Sequence, residues 1–483
     1  MEKFFKIKER GSTVRTEIFA GLTTFFAMCY IVVVNPTQVT GSSLDVAIAN
    51  GTGQIWNAVY IASILVAMIG TLLMALYAKM PFAQACGMGL NSFFFVSFVL
   101  FAEDKVAGYQ SGLVIILVSG IVFLLLSVTG LRKYIATALP DCLKKAIPAG
   151  IGLFIAYIGF QNVGIIQANM YTKTQLFDFH GVLDKIGTDV VNEAGEVIGV
   201  FSGFDAWKAM APVVLTIIGL VLIAVLAKKN VKGNVIISIL VVTVLYYVTT
   251  LQMPSFDLGN IGQSFKDFGT VGITGVFKSA SWSNAFADVF KAIVLIITFC
   301  LVDMFDTIGT LYGTAAQADM LDENGDPINV NEAMMCDSIG TVAGAILGTS
   351  TCTTFVESAA GVGAGGRTGL TSVVTAICFA LCLFLSPIAS LIPGCATAPA
   401  LIYVGVLMMK NFAKVDMDDV TSAVPAFMAL VIMVLSYSIS NGIGVGAITY
   451  VLITLLTGKY KKKDIVITII ALLFVARFLL ITM

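Results

Sequence analysis

The sequence predicts an all-α polytopic membrane protein with fourteen spans, arranged as two inverted repeats of seven. Three observations predict this fold class. Hydrophobic residues make up 58% of the 483 residues and charged residues only 12%, about half the charged fraction of a soluble domain. Apolar runs of about 20 residues, the length that crosses a bilayer as a helix, recur from end to end. The third observation is a resemblance between the two halves of the chain.

The apolar runs define fourteen candidate spans. Those of the first half are expected near residues 17–39, 57–78, 83–101, 108–130, 146–166, 210–227 and 233–251. Those of the second half are expected near 287–311, 334–348, 350–366, 369–391, 396–410, 422–438 and 441–457. A last apolar stretch, 465–482, contains Arg477 and is interpreted as an extra peripheral helix. The predicted domains are therefore 1–252 and 253–458 for the two repeats, and 459–483 for a basic turn with the extra segment.

The positions of lysine and arginine support this map and give it an orientation. With a cytoplasmic N-terminus, twenty of the 28 basic residues lie in segments predicted inside, seven lie outside, and Arg477 is left over. This asymmetry follows the positive-inside rule. A missed span would invert every later segment and remove the asymmetry. The sequence therefore predicts a multi-pass protein of the cell membrane with its N-terminus in the cytoplasm.

The two halves resemble each other at matching spans. Span 5, "KKAIPAGIGLFIAYIGFQN", and span 12, "GCATAPALIYVGVLMMKN", both have proline near the start, small residues and a tyrosine-containing apolar run that ends in asparagine. Because seven is an odd number, two such halves must lie in the membrane with opposite topology. Inverted repeats are typical of secondary transporters, whose substrate site lies near the midplane between the halves.

The third segment of each half does not begin as an ordinary membrane helix. The stretch "TSTCTTF" (349–355) is rich in β-branched and short polar side chains, which favours an extended strand. Non-helical backbone at membrane depth is tolerated only where protein or a cavity surrounds it. The two segments are expected to become helical at about Gly89 and Glu357. A half-helix that begins there offers free N–H groups to a polar heterocycle or an anion.

Four polar or acidic side chains in these apolar segments are candidate functional groups: Asn91, Asp303, Asp306 and Glu357. Asn91 and Glu357 lie near the predicted half-helix starts, where a helix cap or an acid bound by the helix amides is the structural alternative. Asp303 and Asp306 are spaced i, i+3 and therefore share one face of span 8, which must be directed to the bundle interior. Crowded carboxyl groups cannot all ionise cheaply, so these acids are candidates for proton coupling.

No motif indicates catalysis, ATP hydrolysis or a metal site. "GVGAGG" (361–366) lacks the βαβ context that gives a dinucleotide fingerprint its meaning. "DENGDPIN" (322–329) begins like a calcium loop, but Pro327 and Ala333 occupy the positions that need glycine and a bidentate glutamate. The nine cysteines show no metal-binding spacing. We therefore expect no enzymatic activity, no cofactor, no metal ion and no nucleic-acid partner, with the lipid bilayer as the surroundings.

Four motifs in order resemble those of the azaguanine-like purine permeases, a branch of the xanthine/uracil permease (nucleobase–cation symporter) superfamily. They are "GLTTFFAMCYIVVVNP", "ACGMGLNSFFFVSFV", "LVDMFDTIGTL" and "TFVESAAGVGAGGRTGLTSV". The resemblance extends from about residue 10 to 457. It implies a seven-plus-seven fold with short antiparallel strands at the start of spans 3 and 10. It further implies a core domain of spans 1–4 and 8–11, and a gate domain of spans 5–7 and 12–14.

The resemblance also implies which residues form the site. The implied substrate-binding residues are Glu357, Asp303, Asn91, Phe355 and Ile31, and the implied proton-coupling residues are Asp306 and Asp303. Glu357 would hold the edge of the nucleobase ring, Phe355 would form an aromatic wall, and Ile31 would line the site from span 1. The uracil branch has "EHIG" where this chain has "DTIG" (306–309), which favours purines over uracil.

The function implied by the resemblance is import of purine nucleobases by proton symport with alternating access. Guanine and hypoxanthine are the expected substrates, with adenine next; sodium is the less favoured coupling ion, and a homodimer is an open alternative. The alternative function is an anion transporter or channel of the related sulfate-permease fold. Those proteins have a cationic or neutral residue where Glu357 stands and append a soluble C-terminal domain, and this sequence has neither feature.

Overall fold

A computed structural model gives the structure of this chain. It describes residues 2–129, 140–191, 197–231, 233–252, 259–317, 320–321, 327–355, 357–385, 391–410 and 412–480. The boundary predicted at residue 253, most of the calcium-like stretch and the side chain of Arg477 lie outside the described part.

The described residues of the first half form eleven α-helices and five short strands, joined by turns and loops. Its helices are α1 Glu2–Phe5, α2 Val14–Met28, α3 Ile31–Thr40, α4 Leu44–Ala49, α5 Gly53–Leu73, α6 Met88–Phe94, α7 Lys105–Thr129, α8 Asp141–Asn162, α9 Phe179–Leu183, α10 Gly203–Lys228 and α11 Asn234–Thr250. Its strands are β1 Gln84–Cys86, β2 Ile166–Asn169, β3 Lys173–Leu176, β4 Asp189–Val191 and β5 Val197–Val200. The strands β2 to β5 form two hairpins between α8 and α10, in a segment predicted to lie outside the cell.

The second half has eleven described helices and one described strand. The helices are α12 Gly259–Asp267, α13 Thr274–Phe277, α14 Ser279–Ala285, α15 Val289–Gln317, α16 Val330–Leu347, α17 Ser358–Gly363, α18 Gly369–Leu381, α19 Gly394–Met409, α20 Val420–Leu435, α21 Ile439–Leu456 and α22 Ile465–Leu480. The strand is β6 Cys352–Thr354. The extra C-terminal segment is thus helical, and it packs against α21.

Each of the fourteen predicted spans contains a helix, so the predicted helical membrane architecture is confirmed at that level. Within the described ranges, six helices are long and apolar enough to cross a bilayer, or seven if α14 and α15 count as one span bent by 92°. Several of the remaining apolar helices are shorter, between 10 and 17 residues. The exact number of spans and the two-repeat relation stay predictions.

Spans 5 and 12, whose sequences resemble each other, are packed together as α8 and α19. The two helices approach closely at Gly152 and Gly405. A Cβ atom built at Gly405 would lie 2.5 Å from the carbonyl oxygen of Gly152, and one at Gly152 would lie 3.0 Å from that of Gly405. Small residues at such a point let two membrane helices approach closely.

The two predicted non-helical segments pair with each other. β1 and β6 are antiparallel, with Gln84 opposite Thr354 and Cys86 opposite Cys352. The pairing continues on both sides, since Gly87 N–H donates to the Thr351 carbonyl and Phe355 N–H donates to the Ala83 carbonyl, each at 3.0 Å. Every residue of both strands is buried, so the non-helical backbone lies inside the protein, as its polar groups require.

Glu17 joins the start of α2 to the start of α18. Its fully buried carboxylate accepts hydrogen bonds from the backbone N–H groups of Arg367 (3.0 Å) and Thr368 (3.2 Å). It also accepts from the hydroxyls of Thr368 (2.9 Å) and Thr371 (2.6 Å). Three of the four bonds end on Oε2, so an amide nitrogen in place of one oxygen cannot satisfy all four donors.

We expect Glu17→Gln to lower the free energy of unfolding by roughly 1–3 kcal/mol, the cost of a buried donor without an acceptor. The measurement is thermal unfolding of the detergent-solubilised protein. Glu9→Gln is the matched control, because Glu9 forms only an exposed ion pair with Lys6. Equal melting temperatures for the two variants would show that Glu17 does not stabilise this junction.

Candidate functional site

Two short helices begin at the paired strands. α6 starts at Met88, directly after β1, with Gly87 as its N-cap residue. α17 starts at Ser358, shortly after β6, with Glu357 as its N-cap residue. Both starts are within one residue of the positions that the sequence predicts. The strand pair therefore brings two helix N-termini to one region of the interior. At the start of α17, the Ser358 N–H already donates to the Phe355 carbonyl at 3.1 Å.

Glu357 is half-buried and accepts a hydrogen bond from a residue in the first half of the chain. The hydroxyl of Tyr30 donates to Oε1 of Glu357 at 2.5 Å. The Glu357 side chain makes no capping bond to α17, so the alternative of an acid bound by the amides of its own helix does not describe this structure. A carboxylate can accept about four hydrogen bonds, and Tyr30 therefore leaves capacity for a ligand.

Tyr30 is a site residue that the sequence analysis missed. It lies in the break between α2 and α3, where the helix of span 1 is interrupted, and is only 1% exposed. Ile31, the residue predicted to line the site from span 1, follows it as the first residue of α3 and is equally buried. The available signal was a hydroxyl-bearing residue in the apolar run of span 1.

Asn91 is fully buried in the second turn of α6 and has partners on two other elements. Its side-chain nitrogen donates to Oε1 of Gln38, on α3, at 3.4 Å. Its side-chain oxygen accepts from the hydroxyl of Ser350, just before β6. Asn91 is thus no helix cap, and it ties α6 to α3 and to the segment that leads into β6.

Asp303 and Asp306 have different surroundings although both belong to α15. Asp303 is 1% exposed; its Oδ2 accepts from the hydroxyl of Thr341 at 2.7 Å, and its Oδ1 is buried without a hydrogen-bond partner. Asp306 is half-buried and close enough to Glu357 for the two carboxyl groups to interact electrostatically. The structure therefore brings Asp306 within electrostatic range of Glu357, and it bonds Asp303 to Thr341 of α16.

A fourth acid of this region, Asp337 on α16, was not singled out by the sequence analysis. It is fully buried, and its carboxylate accepts from the side-chain amide of Gln84 in β1. It also accepts from the hydroxyl (3.0 Å) and the backbone N–H (3.3 Å) of Thr354 in β6. The available signal was an acid inside the apolar run of span 9.

Aromatic side chains lie beside these polar groups. Phe355 follows β6 directly and is 4% exposed. Phe93 of α6 and Phe299 of α15 pack with ring centroids 4.9 Å apart, and Phe299 precedes Asp303 by about one helical turn. The region therefore combines apolar walls with a small number of polar groups, as sites for flat heterocycles do.

The acids of this region have no basic partner among the described residues. All the ion pairs among the described residues involve the termini, loops and helix ends, and none involves an acid of this region. In the same ranges no group of three or more histidine, cysteine or acidic residues could hold a metal ion. Carboxylates without cationic neighbours suit a ligand that brings N–H donors or a proton, and they repel anions.

Comparison with known proteins identifies the family. A model of xanthine/uracil permeases, described as a permease family, matches residues 15–187 and 185–445. The chain belongs to this permease family. The resemblance to purine permeases that the four motifs indicate is thereby confirmed.

Relatives that are similar to this permease over almost its whole length include two with named substrates. The adenine permease AdeP of Escherichia coli strain K12 is 36% identical over 479 residues, which are 99% of this chain and 95% of the relative. The guanine/hypoxanthine permease PbuO of Bacillus subtilis strain 168 is 36% identical over 97% of this chain and 98% of the relative.

Solved structures of other transporters share the fold. The transmembrane domain of the cyanobacterial bicarbonate transporter BicA matches with a TM-score of 0.56 and 16% identity, over 88% of this chain and 97% of that one. The murine anion transporter Slc26a9 matches with a TM-score of 0.57 and 12% identity, over 92% and 68%. At identities this low, the matches show a shared membrane-transporter fold and do not indicate the substrate.

Proposed function

We propose that this permease is a secondary active transporter that imports purine nucleobases by proton symport with alternating access. The observation that carries the proposal is the Glu357 carboxylate, which lies at the start of a half-helix, is held by Tyr30 and has no basic partner. The relatives named adenine permease and guanine/hypoxanthine permease support a purine as the substrate.

Binding would use the complementary edges of the base and the site. Guanine, hypoxanthine and adenine carry ring N–H donors next to ring-nitrogen or carbonyl acceptors. Glu357 would accept a hydrogen bond from a ring N–H of the base. Phe355 and Ile31 would provide apolar contacts, and Asn91 would complete the polar set from the start of α6.

Transport would require the two predicted domains to move against each other. In the proposed gate domain, α8 packs with α19 and α20, and α10 packs with α11 and α19. In the proposed core domain, α2 packs with α17 and α18, and α7 packs with α15 and α16. A division into repeats 1–252 and 253–458, with one half-helix from each, would place the site between them, as in other transporters with inverted repeats.

Coupling would fall to the two aspartates of α15. Asp306 would carry the proton, because it is only half-buried and lies within electrostatic range of Glu357. Asp303 would support binding indirectly, through its hydrogen bond with Thr341. Its Oδ1 atom is buried without a hydrogen-bond partner, which is energetically costly for an ionised carboxyl group. Asp303 is therefore the second candidate for a bound proton.

The alternative of an anion transporter is favoured by the shared fold alone. The acids at the site disfavour it, since an anion would have to approach Glu357, Asp306 and Asp303 without a compensating cation. Like charges at such distances are repulsive in a low-dielectric interior. We therefore retain the purine as the substrate.

The first test concerns binding by Glu357. Glu357→Gln keeps the shape but removes the charge that strengthens the hydrogen bond to a purine N–H, so we expect binding to weaken about ten- to a hundredfold. The measurement is equilibrium binding of radiolabelled hypoxanthine to purified protein, with guanine, adenine and uracil as competitors. Glu103→Gln, at an exposed position, is the matched control and should bind like the parent.

Tyr30→Phe extends this test, since it removes only the hydroxyl that holds the Glu357 carboxylate. A smaller loss of affinity than that of Glu357→Gln is expected, because the charge remains. Unchanged affinity in a folded Glu357→Gln variant would remove Glu357 from the site.

The second test separates binding from coupling. We expect Asp306→Asn to bind purine but to lose accumulation driven by a pH gradient, since an asparagine cannot carry the proton. Asp303→Asn should lose binding itself, because the bond to Thr341 is altered. Both properties are measured in proteoliposomes for each variant. Accumulation at the parent level by both variants would make the aspartates structural and refute the coupling scheme.

The third test concerns the orientation with a cytoplasmic N-terminus. A single cysteine at Lys185, in the exposed segment between α9 and β4, should react with an impermeant thiol reagent added to intact cells. One at Lys229, exposed at the end of α10, should not. The native cysteines are buried or half-buried, so they give a low background. The reverse labelling pattern would invert the topology.

A further inference from the structure

We propose that Asp337 is a positioning residue for purine binding, because it fixes both buried strands to α16 and so sets the separation of the two half-helices. This inference rests on the proposed function of Glu357, which it deepens. Asp337 lies behind the strands and has no assigned role in substrate binding. Its effect would be transmitted through β1 and β6.

The contacts of Asp337 connect three elements. Its carboxylate accepts from Gln84 in β1, and from the hydroxyl and backbone N–H of Thr354 in β6. Gln84 and Thr354 are directly opposite each other in the strand pair. One side chain on α16 therefore joins the two strands at the same rung of the ladder.

The strands need such an anchor because they are short. Each has three residues, and an isolated two-stranded ribbon is marginally stable even at greater length. The strands lead directly into the half-helices: Cys86 precedes Met88 by two residues, and Thr354 precedes Glu357 by three. A displacement of either strand would therefore move the start of α6 or the Glu357 carboxylate.

A second anchor on α16 lies one turn further along the helix. The hydroxyl of Thr341 accepts from the backbone N–H of Cys352 at 3.0 Å and donates to Oδ2 of Asp303 at 2.7 Å. Cys352 and Thr354 are the two ends of β6. Asp337 and Thr341, spaced i, i+4 on one face of α16, thus bond to the two ends of β6.

The fit of the strands against their neighbours leaves little room for an alternative position. A Cβ atom built at Gly340 of α16 would lie 2.9 Å from Sγ of Cys352, and one at Gly70 of α5 would lie 2.7 Å from Oε1 of Gln84. The two glycines therefore form a close cradle for the strands. The cradle restricts sideways movement, and Asp337 supplies the polar attachment.

The titratable groups near Asp337 are Asp303 and Asp306 of α15, Cys336 of α16 and Cys352 of β6. A role as a further proton carrier is therefore the competing explanation. The two roles differ in what a variant loses: a positioning residue affects affinity, whereas a proton carrier affects accumulation at unchanged affinity.

The experiment compares Thr354→Val, Thr354→Ser and Asp337→Asn by hypoxanthine binding and by gradient-driven uptake in proteoliposomes. Thr354→Val removes the hydroxyl that bonds to Asp337 without changing the shape, and we expect affinity to fall about tenfold. Thr354→Ser should restore affinity close to that of the parent, because it keeps the hydroxyl. Asp337→Asn should weaken binding at least as much as Thr354→Val.

Thr314→Val is the matched control. Thr314 is also buried, and its hydroxyl bonds to carbonyl groups of its own helix, α15, so its loss should leave affinity unchanged. Elution as a single species and the melting temperature report whether each variant is folded. If Asp337→Asn does not fold, the contrast between valine and serine at position 354 decides.

Two outcomes overturn the inference. In one, Thr354→Val and Asp337→Asn bind like the parent while Glu357→Gln loses binding, which leaves the proposed function standing. In the other, Asp337→Asn binds like the parent but loses accumulation, which makes Asp337 a proton carrier. If Glu357→Gln binds like the parent, it is the proposed function that fails.

Discussion

The pairing of β1 with β6 is the constraint on which the rest of the interior depends. Backbone N–H and C=O groups away from water must be hydrogen-bonded, and a three-residue strand cannot do this within itself. Each strand therefore needs the other, although they lie in opposite halves of the chain. Once paired, they present two helix N-termini side by side, an arrangement that a continuous helix cannot provide.

Side chains around the strand pair follow from the same constraint. Glycine at positions 70 and 340 leaves room for the side chains of Gln84 and Cys352, which a Cβ atom there would approach to 2.7 Å and 2.9 Å. Hydroxyls and carboxylates supply the polar partners that the surrounding apolar helices lack. The hydroxyl group of Thr341 is an example, since it bonds both to the backbone of β6 and to Asp303.

The sequence predicts the helices and the non-helical segments well because both depend on local composition. Each apolar run that was assigned as a span contains a helix, and the β-branched stretch around residue 352 contains β6. The same method located Glu357, since an acid in an apolar segment is conspicuous. Asp337 is also an acid in an apolar run, so local composition marks it as well as it marks Glu357. What no local pattern encodes is the partner of such a side chain: Tyr30 bonds to Glu357, 327 positions away, and Asp337 bonds to Gln84, 253 positions away.

The fold by itself does not determine the substrate. The permease shares its fold with a bicarbonate transporter and an anion transporter. One fold can therefore serve proteins that transport different substrates. The side chains at the site are what bear on the substrate. Here the Glu357 carboxylate, at the start of α17, lies within electrostatic range of Asp306. Carboxylates without a cationic partner suit a ligand that brings N–H donors, as a neutral purine does. The carboxylates at this half-helix start, rather than the fold, are therefore what support a nucleobase as the proposed substrate.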